Sequence, residues 1–346
     1  MNERRTGRRT KGDIGVDVGD DGADIVYTLR CERRYLKNSN RNAAILHALT
    51  AALFAYLLID SGNEVRLPVY LTSAGTIRYL DSFRFAWLVV FFEVICAVAH
   101  AVSFRKIDDY MQNLRQFRQP LRWLEYSVSA SLMIVAISAL SLVSDTVVLA
   151  GVVICCATTM GIGYFVEAYN VMLYDSELFI GEKPGTELKQ KEKTKKKRIE
   201  RDQMMLFLFG FLPYVFLWVP LLATLFDFIE TKPANSPDPP TIIWVMIAFL
   251  VVVFTCFAKV QYDQIRDMRM PGLDKRGVLE VYIKGEKTFI KLSALAKIGL
   301  AAFVFAGFYA PAAASDEGEG WTKFYRLAVE AERCTKELVF GSPTFS

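Results

Sequence analysis

Seven apolar runs limit what this chain can fold into more than any other feature. They cover residues 43–60, 84–103, 120–142, 146–167, 204–226, 241–262 and 288–311. Each run is close to the length of about 20 residues that a helix needs to cross a bilayer core. The composition agrees, since 53% of the residues are hydrophobic. A disordered chain, a disulfide-stabilised secreted module and a conventional soluble enzyme are therefore excluded, and we expect no enzymatic activity.

The distribution of basic residues predicts an orientation in the membrane. Lys and Arg are about four times as frequent before the first run and in every second connection as in the remaining segments. The positive-inside rule therefore places the N-terminus in the cytoplasm, and seven spans place the C-terminus outside. The polar start contains no apolar signal-peptide core, so the first run is expected to act as the insertion signal.

These patterns divide the chain into three parts of an integral multi-pass protein, which we expect in the plasma membrane. Residues 1–41 form a basic cytoplasmic segment, residues 42–311 the seven-helix domain, and residues 312–346 an extracellular tail. Within the tail, residues 321–340 are compatible with an amphipathic helix, to which no function is assigned.

Two connections carry further signals. Residues 65–81 contain two β-rich stretches around a Thr-Ser-Ala-Gly turn, which predicts a short extracellular hairpin between helices 1 and 2. The basic run 189–201 predicts a cytoplasmic segment that faces anionic lipid. Because this run lacks interleaved aromatic residues, we expect no nucleic-acid partner.

The six cysteines do not indicate a disulfide or metal framework. No CxxC pair is present, and four of the six cysteines lie within apolar runs. We therefore expect free thiols and no metal site.

Ionisable residues at membrane depth are the strongest functional signals, because each costs at least ~2.5–3.5 kcal/mol to insert. Lys259 and Lys291 lie near predicted cytoplasmic ends, where their ammonium groups can reach the headgroups. Lys297 lies about ten residues into the last run, or ~15 Å deep, so it requires another explanation. The remaining candidates are His47, Glu93, His100, Glu125 and Glu167.

A lysine near the bilayer midplane is neutral, paired with a carboxylate, or covalently modified as a Schiff base. Glu125 offers a carboxylate at a comparable depth in the third run. Ser129 and Met133 follow it at successive helical turns, and Ser293 precedes Lys297 by one turn. This spacing leaves two alternatives open, which are a structural Lys-Glu salt bridge and a Schiff-base site.

Four stretches of sequence resemble the heliorhodopsins, a family of retinal-binding seven-helix proteins with inverted membrane orientation. They are RWLEYSVSASLM at 122–133, GYFVEAYN at 163–170, Gln261-Tyr262 and GEKTFIKLSALAK at 285–297. The resemblance extends over roughly residues 42–311. It implies an all-α membrane protein with a microbial-rhodopsin-like bundle. It also implies that the protein forms a homodimer.

The resemblance also implies a cofactor and its contacts. Lys297 would carry all-trans retinal as a protonated Schiff base, and Glu125 would be the counterion. Ser293 occupies the place where microbial ion pumps usually carry an aspartate. His47 and His100 match paired histidines that take part in proton movements. Glu167 matches a family glutamate at the cytoplasmic end of the fourth span. Glu93 and Glu167 are further candidates for proton transfer. Further candidates for the wall of the chromophore site are Met133, Phe254, Trp218 and Pro213.

The sequence leaves three functions open. The first is a slow light sensor with internal proton transfer and an unknown cytoplasmic partner. The second is a light-gated proton channel, which is suggested by two departures from the family pattern, the carboxylate of Glu93 and the amine of Lys259. The third is a seven-helix protein without photochemistry, in which Lys297 and Glu125 form only a salt bridge.

Overall fold

The computed structural model describes residues 20–60, 66–73, 76–84, 86–174, 190–232 and 238–308. Its helices are α1 (Asp20–Asp60), α2 (Ala86–Arg105), α3 (Ile107–Arg115), α4 (Pro120–Leu140), α5 (Thr146–Tyr174), α6 (Gln190–Phe209), α7 (Phe211–Thr231), α8 (Thr241–Asp267) and α9 (Lys275–Phe308). Two strands, β1 (Arg66–Ser73) and β2 (Thr76–Arg84), lie between α1 and α2.

Seven helical stretches within the described residues are long and apolar enough to cross a membrane. They are Leu29–Ile59, Trp87–Arg105, Pro120–Leu140, Thr146–Tyr174, Gln190–Thr231, Thr241–Asp267 and Lys275–Gly307. The predicted all-α, seven-span architecture is therefore confirmed. The third span begins at Pro120 because proline is well accommodated in the first turn of a helix, where its missing N–H is not needed.

The fifth span consists of α6 and α7, which meet at Gly210. The Gly210 N–H donates to the carbonyl oxygens of Leu206 and Phe207, both at 3.1 Å. A Cβ atom at this glycine would lie only 3.1 Å from the side chain of Ile162 on α5. Glycine therefore permits a close approach to α5 at the junction. The predicted span 204–226 straddles this break, and residues 190–201 of the basic run lie in α6.

The predicted β-hairpin is present. Strands β1 and β2 pair antiparallel from Arg66 opposite Arg84 to Ser73 opposite Thr76, with an irregularity after Val69. The Tyr70 N–H donates to the Ser144 carbonyl at 3.0 Å, and the Thr146 hydroxyl donates to the Tyr70 carbonyl at 2.8 Å. These bonds attach the hairpin to the connection between α4 and α5.

The bundle contains two apolar layers. We call the end that carries β1 and β2 the hairpin end, and the opposite end, which carries α3, the basic end. One layer lies toward the hairpin end and includes Phe54, Val89, Leu140 and Val304. The other lies at the basic end and includes Leu36, Leu114, Tyr282 and Ile283. The buried polar side chains described below lie at and between these layers.

The short helix α3 was not predicted from the sequence. Ile107, Tyr110, Met111 and Leu114 are buried, so this nine-residue helix packs one apolar face against the bundle. It connects α2 to α4 at the basic end.

Two predicted boundaries can be compared only in part. Helix α1 already begins at Asp20, well before the predicted domain start at residue 42. Polar residues from Asp20 onward therefore belong to the same helix as the first apolar run, and residues 1–19 lie outside the described residues. The tail 312–346, including the amphipathic stretch 321–340, lies outside the described residues.

Candidate functional site

A buried lysine and a buried glutamate meet at the middle of the bundle. Lys297 on α9 donates from Nζ to Glu125 Oε1 on α4 at 2.6 Å and to Ser293 Oγ at 2.8 Å. The exposed fractions of Lys297 and Glu125 are 3% and 6%. Neither charge can therefore reach water directly, and each is balanced by the other. The structure thus brings together the three residues that the helix depths suggested.

One oxygen of the carboxylate receives two further hydrogen bonds. Ser129 donates from its hydroxyl to Glu125 Oε1 at 2.6 Å, as its position one turn along α4 suggested. Cys96 on α2 donates from Sγ to the same oxygen at 3.0 Å. The sequence pattern predicted only a free thiol at Cys96. We call Lys297, Glu125, Ser293, Ser129 and Cys96 the amine cluster.

A largely apolar cavity lies beside Lys297. Its empty space is about 880 Å³, a figure that includes the open space at its mouth. Its wall includes Ser129, Ser293 and Lys297 together with Trp123, Tyr126, Met133, Tyr214, Phe254, Phe257 and Phe289. A primary amine at the edge of an apolar, aromatic cavity fits a long apolar aldehyde such as retinal.

The predicted cavity walls are only partly brought together. Met133 and Phe254 line the cavity. Trp218 does not belong to its wall, but its ring packs on Phe254 with a centroid distance of 5.9 Å. Pro213 is also outside the wall. Gly163 contributes a close approach that the sequence did not reveal, because a Cβ atom there would collide with the indole of Trp123.

The two histidines form a second group with Glu93 and Asn40, which we call the histidine cluster. His47 Nδ1 lies 2.5 Å from Glu93 Oε2, and both side chains are fully buried. The rings of His47 and His100 are parallel, with centroids 5.6 Å apart. His100 Nδ1 lies 2.8 Å from Asn40 Oδ1. The predicted pairing of the histidines is thus reproduced in space, and Glu93 is added to it.

A third group surrounds a buried arginine and was not predicted from the sequence pattern. Arg122 on α4 makes ion pairs with Glu167 on α5 and Glu286 on α9. Tyr110 on α3 donates to Glu286 Oε1 at 2.6 Å, and Tyr282 donates to Glu167 Oε1 at 2.9 Å. We call Arg122, Glu167, Glu286, Tyr110 and Tyr282 the arginine cluster. Burial and the neighbouring Glu286 raise the pKa of Tyr110 well above its ordinary value.

Glu167 is thus engaged differently from its predicted part in proton transfer. Besides Arg122 and Tyr282, its carboxylate accepts hydrogen bonds from the Trp123 indole at 2.7 Å and from the Gln119 N–H at 2.9 Å. Together these donors fix the position of the carboxylate between α4, α5 and α9. The geometry therefore favours a structural role for Glu167.

A smaller cavity of about 350 Å³ connects the three clusters. Its wall contains His100 and Asn40 from the histidine cluster, Glu125 from the amine cluster, and Arg122 and Glu286 from the arginine cluster. The polar groups therefore form a connected system on the basic side of Lys297.

Among the described residues, Lys259 does not extend the polar path that Glu93 and Lys259 suggested. Lys259 pairs with Asp263 on its own helix at 2.6 Å, and its side chain is 69% exposed on the outside of the bundle. Lys291 is also exposed. Both lysines thus agree with the interpretation that their ammonium groups reach the headgroup region.

Within the described part of the chain, no group of three or more His, Cys, Asp or Glu side chains is arranged to hold a metal ion.

Comparison with known proteins identifies a family and a fold. The family model described as Heliorhodopsin matches residues 36–309, most of the chain. The structure is similar to the transmembrane domain and linker region of a rhodopsin phosphodiesterase from Salpingoeca rosetta, with a TM-score of 0.50 and 10% identity over 82% of each chain. At this identity the similarity shows the fold alone.

A second solved structure is a thermophilic rhodopsin from Rubrobacter xylanophilus. It aligns with a TM-score of 0.49 and 13% identity over 84% of this chain and 99% of that chain. Among curated proteins, none matches the chain significantly.

Proposed function

This chain belongs to the heliorhodopsin family of retinal photoreceptors, and we propose that it acts as a slow light sensor with internal proton transfer. The observation that carries this proposal is the Lys297 amine, which is buried at the edge of an apolar cavity and balanced by one carboxylate. Bound to Lys297 Nζ as a protonated Schiff base, all-trans retinal would supply light absorption and a change of shape.

The residues of the amine cluster then have separate tasks. Glu125 balances the positive charge at Lys297 Nζ, while Ser129 and Cys96 hold the carboxylate oxygen in place. Ser293 accepts a hydrogen bond from the nitrogen without adding a second negative charge. The aromatic wall of the cavity excludes water, which strengthens the interaction between the two charges.

The histidine cluster is the proposed destination of the proton. When the alignment between Nζ and Glu125 is lost, the proton at Nζ is less stable and can move to a nearby base. His100 and Glu125 line the same small cavity, so an acceptor lies within the connected polar groups. The altered charge pair then favours a different packing of the helices, which is how a local charge change switches a protein between two states.

The distribution of buried groups supports a sensor more than a channel. The polar clusters extend from the basic end to Glu93. Beyond Glu93, toward the hairpin end, the buried side chains of α1 and α2 are apolar, among them Phe54, Leu58, Val89 and Val90. A proton that reaches the histidine cluster therefore meets an apolar layer instead of a continuous polar path.

Colour tests the retinal site. We expect the protein expressed with all-trans retinal to absorb visible light and Lys297→Ala to lose this band completely. Lys291→Ala is the matched control, because that lysine is exposed on the same helix, and it should remain coloured. A visible band that survives in folded Lys297→Ala would contradict the linkage. Colourless wild-type protein would instead select the simple salt bridge.

An electrical measurement distinguishes the sensor from the channel. Voltage-clamped cells that express the protein are illuminated at several external pH values. We expect no photocurrent. A current whose reversal potential follows the proton gradient would reject the sensor and select a proton conductance.

Orientation and assembly complete the proposal. The basic connections support a cytoplasmic N-terminus, an extracellular C-terminus and an extracellular hairpin in the plasma membrane. The exposed basic side chains of α6 support contact with anionic lipid headgroups. A homodimer and a cytoplasmic signalling partner remain predictions from the family resemblance, and protease protection of terminal tags in intact cells would test the orientation.

A further inference from the structure

The buried carboxylate of Glu93 has a partner that allows it to hold a charge. Its Oε2 atom lies 2.5 Å from Nδ1 of His47 on α1, and neither side chain reaches solvent. An isolated carboxylate in such a place would be strongly destabilised. One proton shared between carboxylate and imidazole keeps the pair neutral as a whole, and Glu93 Oε1 and His47 Nε2 have no further hydrogen-bond partner among the described residues.

The hydrogen bonds around His100 define which of its nitrogens can accept a proton. Asn40 donates from Nδ2 to the Leu36 carbonyl at 2.9 Å, so its Oδ1 atom is oriented as an acceptor. His100 Nδ1, 2.8 Å from that oxygen, therefore carries the hydrogen. In the neutral ring, Nε2 then has the lone pair, and this atom has no hydrogen-bond partner among the described residues.

The histidine cluster is adjacent to the amine cluster along α2. Glu93, Cys96 and His100 follow each other at helical spacings of three and four residues, so they share one face. Cys96 contacts Glu125, and His100 lines the small cavity together with Glu125. Glu93 thus lies one turn beyond Cys96 toward the hairpin end.

We propose that Glu93 is a proton acceptor. At rest it is an anion paired with protonated His47, and it becomes neutral when Lys297 Nζ loses its proton. The N–H bond at Lys297 breaks and an N–H bond forms at His100 Nε2. The Nδ1–H bond of His47 breaks and an O–H bond forms at Glu93 Oε2. No electrons are transferred, and the proposal rests on the proposed photoreceptor function.

The second proton shift has a physical cause. If His47 stayed charged while His100 accepted a proton, two imidazolium rings would stack at a centroid distance of 5.6 Å. Like charges at that distance in a poorly polarisable interior repel strongly. Transfer of the His47 proton to Glu93 removes this repulsion. Glu93 thereby allows the histidine pair to hold an added proton.

The resting charge state can be measured without retinal. The chain contains two histidines, so ¹⁵N-histidine labelling yields signals from only two rings if the purification tag contains no histidine. In full-length protein in bilayers, we expect His47 protonated on both nitrogens and His100 neutral with its hydrogen on Nδ1. His47→Gln assigns the signals. A neutral His47 in the wild-type protein would overturn the proposal.

The matched variants sharpen this measurement. Glu93→Gln should convert His47 to the neutral form, whereas Glu280→Gln, which alters an exposed carboxylate, should leave both rings unchanged. A His47 that remains charged in Glu93→Gln would assign its partner elsewhere and reject the ion pair. In His47→Gln, the His100 ring should still be neutral at rest.

Infrared difference spectroscopy tests the acceptor in the retinal-bound protein. Light should produce the carbonyl stretch of a protonated carboxylic acid, which is lost in Glu93→Gln and retained in Glu280→Gln. A band that persists in Glu93→Gln and is lost in Glu125→Gln would place the proton on Glu125 and reject the proposal. Colourless protein would contradict the photoreceptor function and with it the acceptor role, whereas a neutral His47 contradicts the acceptor role alone.

Discussion

The amine cluster and the arginine cluster both stabilise buried charges, but the contacts of those charges are arranged differently. Both bury charged groups in the bundle, and both use a residue of α4, Glu125 in one and Arg122 in the other. In the amine cluster, one carboxylate oxygen collects all three donors and the cation borders a large cavity. In the arginine cluster, one guanidinium joins two carboxylates that two tyrosines also contact.

The difference indicates which cluster can change state. Among the described residues, the cation of the amine cluster has one carboxylate partner. It lies where a ligand would bind, so a ligand that changes shape can alter its ion pair with Glu125. The arginine cluster connects α3, α4, α5 and α9 through several simultaneous contacts. We therefore interpret the first as the switch and the second as the frame that holds its helices. Three substitutions test this division.

The largest effect is expected in the frame. Arg122→Met leaves two buried carboxylates without their cation, which should lower the free energy of unfolding by about 3–5 kcal/mol. Thermal or denaturant unfolding in detergent measures this loss. Adding Glu167→Gln and Glu286→Gln should recover part of it, because the unpaired charges are then removed. Arg198→Met, at an exposed pair, should cost under about 1 kcal/mol. A loss at Arg122 no larger than that of the control would contradict the frame interpretation.

In the amine cluster we expect an intermediate effect, which changes the colour of the protein and not its stability. Glu125→Gln removes the negative charge next to Lys297, which should shift the visible band to the red or convert the pigment to its deprotonated form at lower pH. Absorption spectra over a pH series measure both. Glu280→Gln is the control with an exposed carboxylate. Unchanged spectra and titration in Glu125→Gln would move the counterion to another residue.

The smallest effect is expected at the edge of the switch. Cys96→Ala removes one weak donor to Glu125, worth about 0.5–1.5 kcal/mol for an ordinary hydrogen bond, so the band should shift less than in Glu125→Gln. Cys96→Ser keeps a donor and should lie closer to the wild-type protein. Cys256→Ala, at a cysteine on α8, should leave the spectrum unchanged. If Cys96→Ala had the wild-type spectrum, the thiol hydrogen bond would have no role in the colour.

Much of the amine cluster was predictable because its residues follow simple rules of depth and periodicity. Lys297 and Glu125 lie at comparable depths in two helices that start at the same side, and Ser129 and Ser293 lie one turn away from them. The contribution of Cys96 was missed, although its spacing from Glu93 and His100 places all three on one face. A single helix shows which residues share a face but not which neighbour that face meets.

The arginine cluster could not be predicted from the same rules. Arg122 and Glu286 lie close to the predicted cytoplasmic boundary, where charged residues usually reach water, so nothing in their local sequence indicates burial. Their burial depends on α3, whose nine residues cover the basic end and bring Tyr110 to Glu286. Lys259 differs in the opposite direction. Its sequence position suggested a polar path inside the protein, but its side chain lies on the outside of the bundle.

The sequence by itself determined the membrane class, the number of spans, the hairpin and the lysine and glutamate at matched depth. Hydrophobic length and helical periodicity act along the chain, so they are readable from it. Only the tertiary structure decided that α2 supplies Cys96 to the counterion, that Glu93 pairs with His47, and that Arg122 joins two glutamates. Those contacts depend on how helices are rotated and packed against one another, and that arrangement follows from the summed packing of all the helices together.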